Sequence, residues 1–122
     1  MKKDIESLED VQLLIRSFYA KVLQDDMLAH FFSYVKAHHW EEHLRVLDSF
    51  WMNLLFYTGG YEGNPLDVHT TLHHFKKLRY QDFKRWLRLF CETVDELFSG
   101  DKSALAKQRA LSIATIMQSR IL

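Results

Sequence analysis

Hydrophobic residues recur every three or four positions along most of the chain, which is the spacing of an amphipathic helix. The first stripe of this kind consists of Val11, Leu14, Ile15, Phe18 and Val22. Ser7, with Asp10 three residues later, resembles a capping box, although Asp stands where Glu or Gln is usual. Asp25 and Asp26 interrupt the pattern, so the first helix is predicted to end there.

Further helices are predicted along the rest of the chain. "MLAHFFSYV" is a short turn or helix, and a long helix from about Trp40 to Tyr57 is stopped by Gly59-Gly60. The next long helices run from about Gln81 to Phe98 and from about Ser103 onward. Their predicted inner faces are His43, Leu47, Phe50, Trp51 and Leu54; Phe83, Trp86, Leu87, Phe90, Val94 and Leu97; and Ala106, Ala110, Ile113, Met117 and Ile121. No strand-like alternation of useful length occurs, which predicts one all-α domain over residues 1–122.

The stretch "GNPLDVHTT" predicts a short helix between the long ones. Asn64 suits a helix cap, Pro65 suits the first helical position, and Asp67 suits the positive end of the helix dipole. His69 therefore lies about one turn into this helix. A histidine placed in this way is a surface residue, a hydrogen-bonded core residue or a metal ligand, and the local pattern does not decide among the three.

Composition narrows the class of protein. Lys+Arg and Asp+Glu balance at 16 each, which argues against a nucleic-acid binder. No apolar stretch approaches the ~20 residues that cross a bilayer, and the first residues lack the apolar run of a signal peptide. A single cysteine, Cys91, leaves no internal disulfide and fits a reducing cytoplasm. A cytoplasmic protein without nucleic-acid or membrane partners is therefore expected.

Polar side chains interrupt the apolar stripes at three positions. His43 shares a face with Leu47, Tyr19 borders the first stripe, and Trp86 lies at the centre of the fourth helix's apolar face. Each buried polar group needs a partner, since leaving one unsatisfied costs about 1–3 kcal/mol. A backbone carbonyl or a water satisfies each one singly, but together with His69 they indicate an interior pocket that holds a ligand.

This pocket could hold either a bare metal ion or a metal within a larger cofactor. His39 and His43, like His69 and His73, have the i,i+4 spacing of metal ligands, but the Glu-x-x-His pairs of di-iron bundles are absent. No acidic residue occupies the predicted inner stripes. The many aromatic residues better suit a large flat ligand whose metal already has equatorial ligands, as in haem, which needs one protein ligand on the proximal side.

Five segments in register resemble the group III truncated haemoglobins: "FYAKV", "EEHLRVLDSFW", "GNPLDVH", "DFKRWLRLF" and "AKQRALSIATIM". The similarity covers nearly the whole chain in the family's order. It implies a two-over-two helical sandwich around haem b, with the first globin helix reduced and a very short proximal helix.

The resemblance assigns the polar residues to the two sides of a haem. His69 matches the proximal iron ligand, and Tyr19 matches the distal tyrosine that faces a bound gas. His43 matches the distal histidine at the pocket entrance, and Trp86 matches the distal tryptophan of this group. Tyr19, His43 and Trp86 are therefore the candidate catalytic residues.

The resemblance also implies apolar haem contacts. Phe32 matches the aromatic residue at the haem corner, with neighbouring Phe31 as an alternative, and Leu47 and Phe50 would line the distal wall. Phe83, on the apolar face that carries the distal tryptophan, is a further candidate for haem binding.

One segment departs from the family pattern. "TTLHHFKKLRYQDF" is a few residues longer than expected between the proximal histidine and the next helix. His73, His74, Lys76 and Arg79 within it either reach the haem propionates or lie in a solvated loop.

The expected function is a haem protein that binds O2, NO and CO. The resemblance implies defence against nitrogen oxides, as in an NO dioxygenase, or peroxidase-like chemistry more readily than bulk oxygen transport. Turnover would need an external electron donor, since no reductase domain is appended. A non-haem metal-binding helical domain and a haem-free helical interaction module stay open as alternatives.

Overall fold

The computed structural model of the chain describes residues 2–57 and 78–121, with the side chains of 34–36 and 120–121 excepted. It contains the helices α1 (Leu8–Gln24), α2 (Ala29–Phe56), α3 (Tyr80–Leu97) and α4 (Asp101–Ile121). Every regular element in these ranges is helical, so the predicted all-α class is confirmed. The predicted short helix that carries His69 lies outside the described residues.

Only the Ser7 half of the predicted capping box is present at the start of α1. The Ser7 hydroxyl oxygen accepts a hydrogen bond from the Asp10 amide at 3.3 Å. The Asp10 carboxylate, however, accepts from the Glu6 amide at 2.8 Å and from Lys3 Nζ at 2.6 Å, not from the amide of Ser7. The Asp10 carboxylate therefore binds the segment that precedes α1 and does not complete a capping box.

Helix α2 joins the two elements that were predicted separately. His39, with φ −142° and ψ 28°, is the non-helical residue inside it, directly before the predicted start at Trp40. Helical geometry resumes after this kink, so "MLAHFFSYV" contributes its residues from Ala29 onward to the same element. The helix ends at Phe56, and Tyr57 takes the left-handed conformation at φ 57° while its amide donates to the Asn53 carbonyl at 2.9 Å.

Each of the four helices packs against two others. Helix α1 contacts α2 and α3, and α4 contacts α3 and α2. The core between them is aromatic and aliphatic, with fully buried side chains that include Val11, Leu14, Ile15, Phe18, Val22, Leu55, Phe90 and Val94.

The inner faces are rotated slightly from those predicted. On α2, Leu55 is fully buried and Leu54 is only half-buried, and on α3 Leu89 is buried while Leu87 and Leu97 are half-buried. The stripe pattern locates a helix face to within about one residue, because a turn of 3.6 residues leaves two neighbouring positions close to the centre of the face.

Acidic side chains are buried beside the core, contrary to expectation. Asp48 on α2 is 4% exposed and forms a two-bond pair with the Arg16 guanidinium of α1, at 2.9 and 3.1 Å. Asp25, just after α1, accepts from Arg85 Nε of α3 at 2.7 Å. Buried carboxylates need such paired partners, and these two tie α1 to both of its neighbours.

A segment before α1 caps α4 from the opposite end of the sequence. The Asp4 carboxylate accepts from the Lys102 amide at 2.8 Å, and from the amide and hydroxyl of Ser103 at 2.8 and 2.7 Å. Gly100 has φ 144°, and a Cβ there would lie 2.5 Å from Asp4 Cγ. Together with Ile5, which is 1% exposed, these contacts fasten the start of the chain to α4.

The cap makes stability depend on the charge of Asp4. Burial opposes ionisation, but the hydrogen bonds from Ser103, Lys102 and Ile5 outweigh it and lower the pKa of Asp4. A carboxyl with a lowered folded-state pKa stabilises the fold above its unfolded pKa of about 3.9, and this contribution is lost as the pH falls through the folded-state value.

Replacing Asp4 should therefore destabilise the protein in a pH-dependent way. Asp4→Ala is expected to lower the free energy of unfolding at pH 7 by about 1–2 kcal/mol, the typical value of a helix N-cap. Denaturant unfolding at pH 7 and below pH 4 measures the difference, which should shrink in acid. Glu6→Ala, at a carboxylate that is 65% exposed, is the control and should change little. A loss for Asp4→Ala that is the same at every pH would contradict the charge-based account.

Candidate functional site

Tyr19 brings together residues from three helices. It lies on α1, is 3% exposed, and its ring centroid is 5.5 Å from that of Phe32 and 5.9 Å from that of His43, both on α2. The Trp86 side chain of α3 is a polar neighbour of the Tyr19 phenol. The three polar residues that interrupt the apolar stripes therefore converge in the folded chain.

The surroundings of Tyr19 keep its phenol neutral. Burial raises the pKa of the Tyr19 phenol above its usual range, and the neighbouring Trp86 side chain lowers it by a smaller amount. The indole N–H is a donor only, and the neutral phenol keeps its own O–H as a donor. Tyr19 and Trp86 are thus neutral hydrogen-bond donors inside the protein.

Aromatic packing sets the positions of both donors. The Phe18 ring lies between them, 4.7 Å from the Tyr19 centroid and 5.7 Å from that of Trp86, in edge-to-face contacts. Trp86 also stacks on Phe90 at 5.9 Å, and Phe90 stacks on Trp51 at 4.8 Å. Such ring pairs restrict orientation as well as position, so the donors are held in place before any ligand arrives.

An apolar cavity of about 370 Å3, including its opening to solvent, lies beside this group. Its lining comes from three helices and their flanking residues: Leu28, Phe31, Phe32, Leu78, Asp82, Phe83, Trp86 and Met117. Both Phe31 and Phe32, which the sequence left as alternatives, border it. Leu78 borders it too, and Leu78 directly follows residues 58–77, the segment that contains His69.

The predicted site residues divide between the cavity and its surroundings. Phe32, Phe83 and Trp86 line the cavity, and Trp86 connects it to Tyr19. His43 stands beside Tyr19 with its Nε2 atom buried. Leu47 and Phe50 are buried on α2 but are not part of the lining. Their assignment to the distal wall therefore stays a prediction.

Asp82 is a lining residue that the sequence analysis missed. Its carboxylate is 1% exposed and accepts from the Arg79 amide at 2.8 Å and from Arg79 Nε at 3.4 Å. Asp82 is the third residue of α3, and an acidic residue at that position is a sequence signal for a capping box. The Arg79 side chain, 62% exposed, is thereby held at the start of α3.

The chemistry of the described residues fits haem better than a bare ion. Within residues 2–57 and 78–121, no three His, Cys, Asp or Glu side chains are grouped so as to hold a metal ion. A mostly apolar, aromatic slot with a few inward donors is what a flat porphyrin requires, and haem needs only one axial ligand from the protein. None of the helices in these ranges is both long and apolar enough to cross a membrane.

Comparison with known proteins identifies the fold. No family model matches the chain. The chain is 30% identical over 124 residues to group 3 truncated hemoglobin ctb of Campylobacter jejuni, covering 99% of this chain and 95% of that protein. Its structure matches the crystal structure of group III truncated hemoglobin from Campylobacter jejuni with a TM-score of 0.86 and 29% identity, over 100% of this chain and 96% of that one.

The structural match identifies the fold, and the sequence match identifies the family. The packed helices around an aromatic cavity match the two-over-two sandwich of a truncated globin, and globins are haem proteins. The chain belongs to the group 3 truncated haemoglobin family. The resemblance found in the sequence is thereby confirmed.

Proposed function

We propose that the chain binds haem b in the 370 Å3 cavity, with His69 as the axial ligand, and that it takes up O2, NO or CO on the side that Tyr19 faces. The observation that carries this proposal is the convergence of Tyr19, His43 and Trp86 beside an aromatic cavity in a chain of this family. The haem supplies an iron that binds diatomic ligands.

The residues in and around the cavity would hold the haem mainly by apolar contacts. Phe32 and Phe83 enter the cavity from α2 and α3 and would pack against the porphyrin faces or edge. Leu47 and Phe50 would complete the distal wall once the group is bound. Arg79, exposed beside the buried Asp82 at the start of α3, would meet a haem propionate.

The donors favour a ligand that is retained and reacts. Tyr19 and Trp86 both present a neutral N–H or O–H from buried positions, and such donors stabilise a ligand oxygen that carries partial negative charge. Slow release suits reaction of the ligand better than its delivery. NO dioxygenase- or peroxidase-like chemistry in the cytoplasm, supplied by an external electron donor, is the activity that we infer from this arrangement.

A visible absorption spectrum of the purified protein tests the proposal as a whole. A porphyrin spectrum that shifts when CO is added supports a haem protein. A protein that binds metal without such a spectrum would instead support a non-haem helical domain. A protein that binds neither would support a haem-free interaction module.

His69→Ala tests the axial ligand. The variant is expected to lose haem or to hold it loosely, because the iron has then lost its bond to the protein, and added imidazole should partly restore the spectrum. His73→Ala and His74→Ala are matched controls, since both change a histidine in the same segment. An unchanged axial-histidine spectrum in His69→Ala would show that another residue binds the iron.

His43→Leu tests whether His43 controls ligand entry. Imidazole side chains change charge between about pH 5 and 8, and a charged ring is drawn from the buried position beside Tyr19 toward water. The CO association rate of the parent protein should therefore increase as the pH falls through this range, and the rate of His43→Leu should not depend on pH. A parent rate that is flat across the same range would remove the gating role. Two axial histidines in the resting spectrum would instead assign His43 to the sixth iron site.

Tyr19→Phe and Trp86→Phe test the donors. A hydrogen bond to a charged group is worth about 1.5–3 kcal/mol, so each variant should release O2 roughly tenfold to a hundredfold faster. CO carries much less charge on its outer atom, so its release should change much less. The double variant should show less than the sum of the two effects, because both donors serve one ligand. Parental O2 release in both single variants would contradict the donor network.

A further inference from the structure

A second cleft lies on the outer side of the site, between α1 and α2. It encloses about 570 Å3 including its opening to solvent, and its lining is Arg16, Ala20, Leu23, Trp40, Glu41 and Leu44. Ala20 is the smallest of these side chains. The cleft is not part of the 370 Å3 cavity, whose lining shares none of its residues.

The indole of Trp40 lines this cleft and also contacts Tyr19 and His43. Its ring centroid is 5.7 Å from that of Tyr19, edge-to-face at 81°, and 5.6 Å from that of His43, tilted by 32°. Tyr19 and His43 are themselves 5.9 Å apart, so the three rings form a closed triangle. The same indole that lines the outer cleft thus contacts both residues that face the proposed ligand.

The backbone of α2 is kinked directly before Trp40. His39 has non-helical dihedral angles, φ −142° and ψ 28°, so Trp40 begins the second helical stretch of α2. Trp40 is only half-buried and lines the cleft. Its ring therefore has room to move outward.

We propose that the outer α1–α2 cleft is the entry route for ligands and that Trp40 is the gate between the cleft and the Tyr19 side of the site. This inference rests on the proposed haem function, and it adds a route and a gating residue to it. Passage requires the indole to leave its contacts with Tyr19 and His43. Leu23, Leu44 and the indole itself make the inner wall apolar, so small uncharged ligands are the class that the route admits.

Flash photolysis of the CO complex of the haem-loaded protein tests the gate. Trp40→Ala removes both ring contacts, and CO association is expected to become about tenfold faster. Trp40→Phe retains a ring and should stay close to the parental rate. In Trp40→Ala the association of tert-butyl isocyanide should increase more than that of methyl isocyanide, because a wider gate helps the bulkier ligand most. A general loosening of the fold would not produce this dependence on ligand size.

Ala20→Trp tests the route without removing any ring contact. A new indole in the cleft should slow CO association while the visible spectrum stays parental. Ala104→Trp, at another exposed alanine but on α4, is the matched control and should leave the rate unchanged. If Trp40→Ala does not hold haem, the CO association rate of Ala20→Trp is the deciding measurement.

The possible failures are distinguishable. Parental rates in Ala20→Trp, or in a haem-loaded Trp40→Ala, would overturn the gate while leaving the haem function intact. A parent protein without a CO-sensitive porphyrin spectrum would overturn the haem function itself, and with it the gate.

Discussion

The burial of one phenol, that of Tyr19, is the constraint on which the site depends. The Tyr19 side chain is 3% exposed, and its polar neighbour Trp86 comes from another helix. The phenol ring in turn has ring contacts with Phe18, Phe32, Trp40 and His43. The positions of α1, α2 and α3 relative to one another are therefore coupled to the geometry of a single polar group.

Two buried ion pairs hold α1 in the position that this geometry requires. Arg16–Asp48 fixes α1 against α2, and Asp25–Arg85 fixes the end of α1 against α3. Each removes a carboxylate from water and compensates with a charge-assisted, directional partner. Ring packing alone tolerates sliding, whereas a two-bonded guanidinium specifies a register. These pairs are thus positioning devices for Tyr19, at some distance from the ring contacts themselves.

The kink at His39 lets the two halves of α2 face different parts of the site. The residues after it must point His43 toward Tyr19, and the residues before it must bring Phe31 and Phe32 to the cavity. A straight helix would fix the angle between these faces at 100° per residue. One non-helical residue removes that restriction, and it lies directly before Trp40, the proposed gate.

Local sequence patterns were enough to predict most of the helices and the polar residues of the candidate site. Helices form from local periodicity and caps, so α1 and α3 begin and end within a residue or two of their predicted limits, and Ser7 caps α1 as expected. Tyr19, His43 and Trp86 were found because polar side chains in apolar stripes are rare, and the family resemblance then ordered them around a haem. The His69 assignment stays a prediction on the same grounds.

Contacts between residues far apart in the chain became visible only in the folded protein. Asp4 caps α4 at Ser103, 99 positions along the chain, and Asp48 pairs with Arg16 across 32 positions. Neither contact leaves a signal in the local pattern, because any surface carboxylate has the same sequence appearance until a partner is brought to it. Whether Leu54 or Leu55 faces the core, and whether Trp40 closes a cleft, depends on the rotation and spacing of packed helices. Those quantities are set by contacts between helices rather than within them.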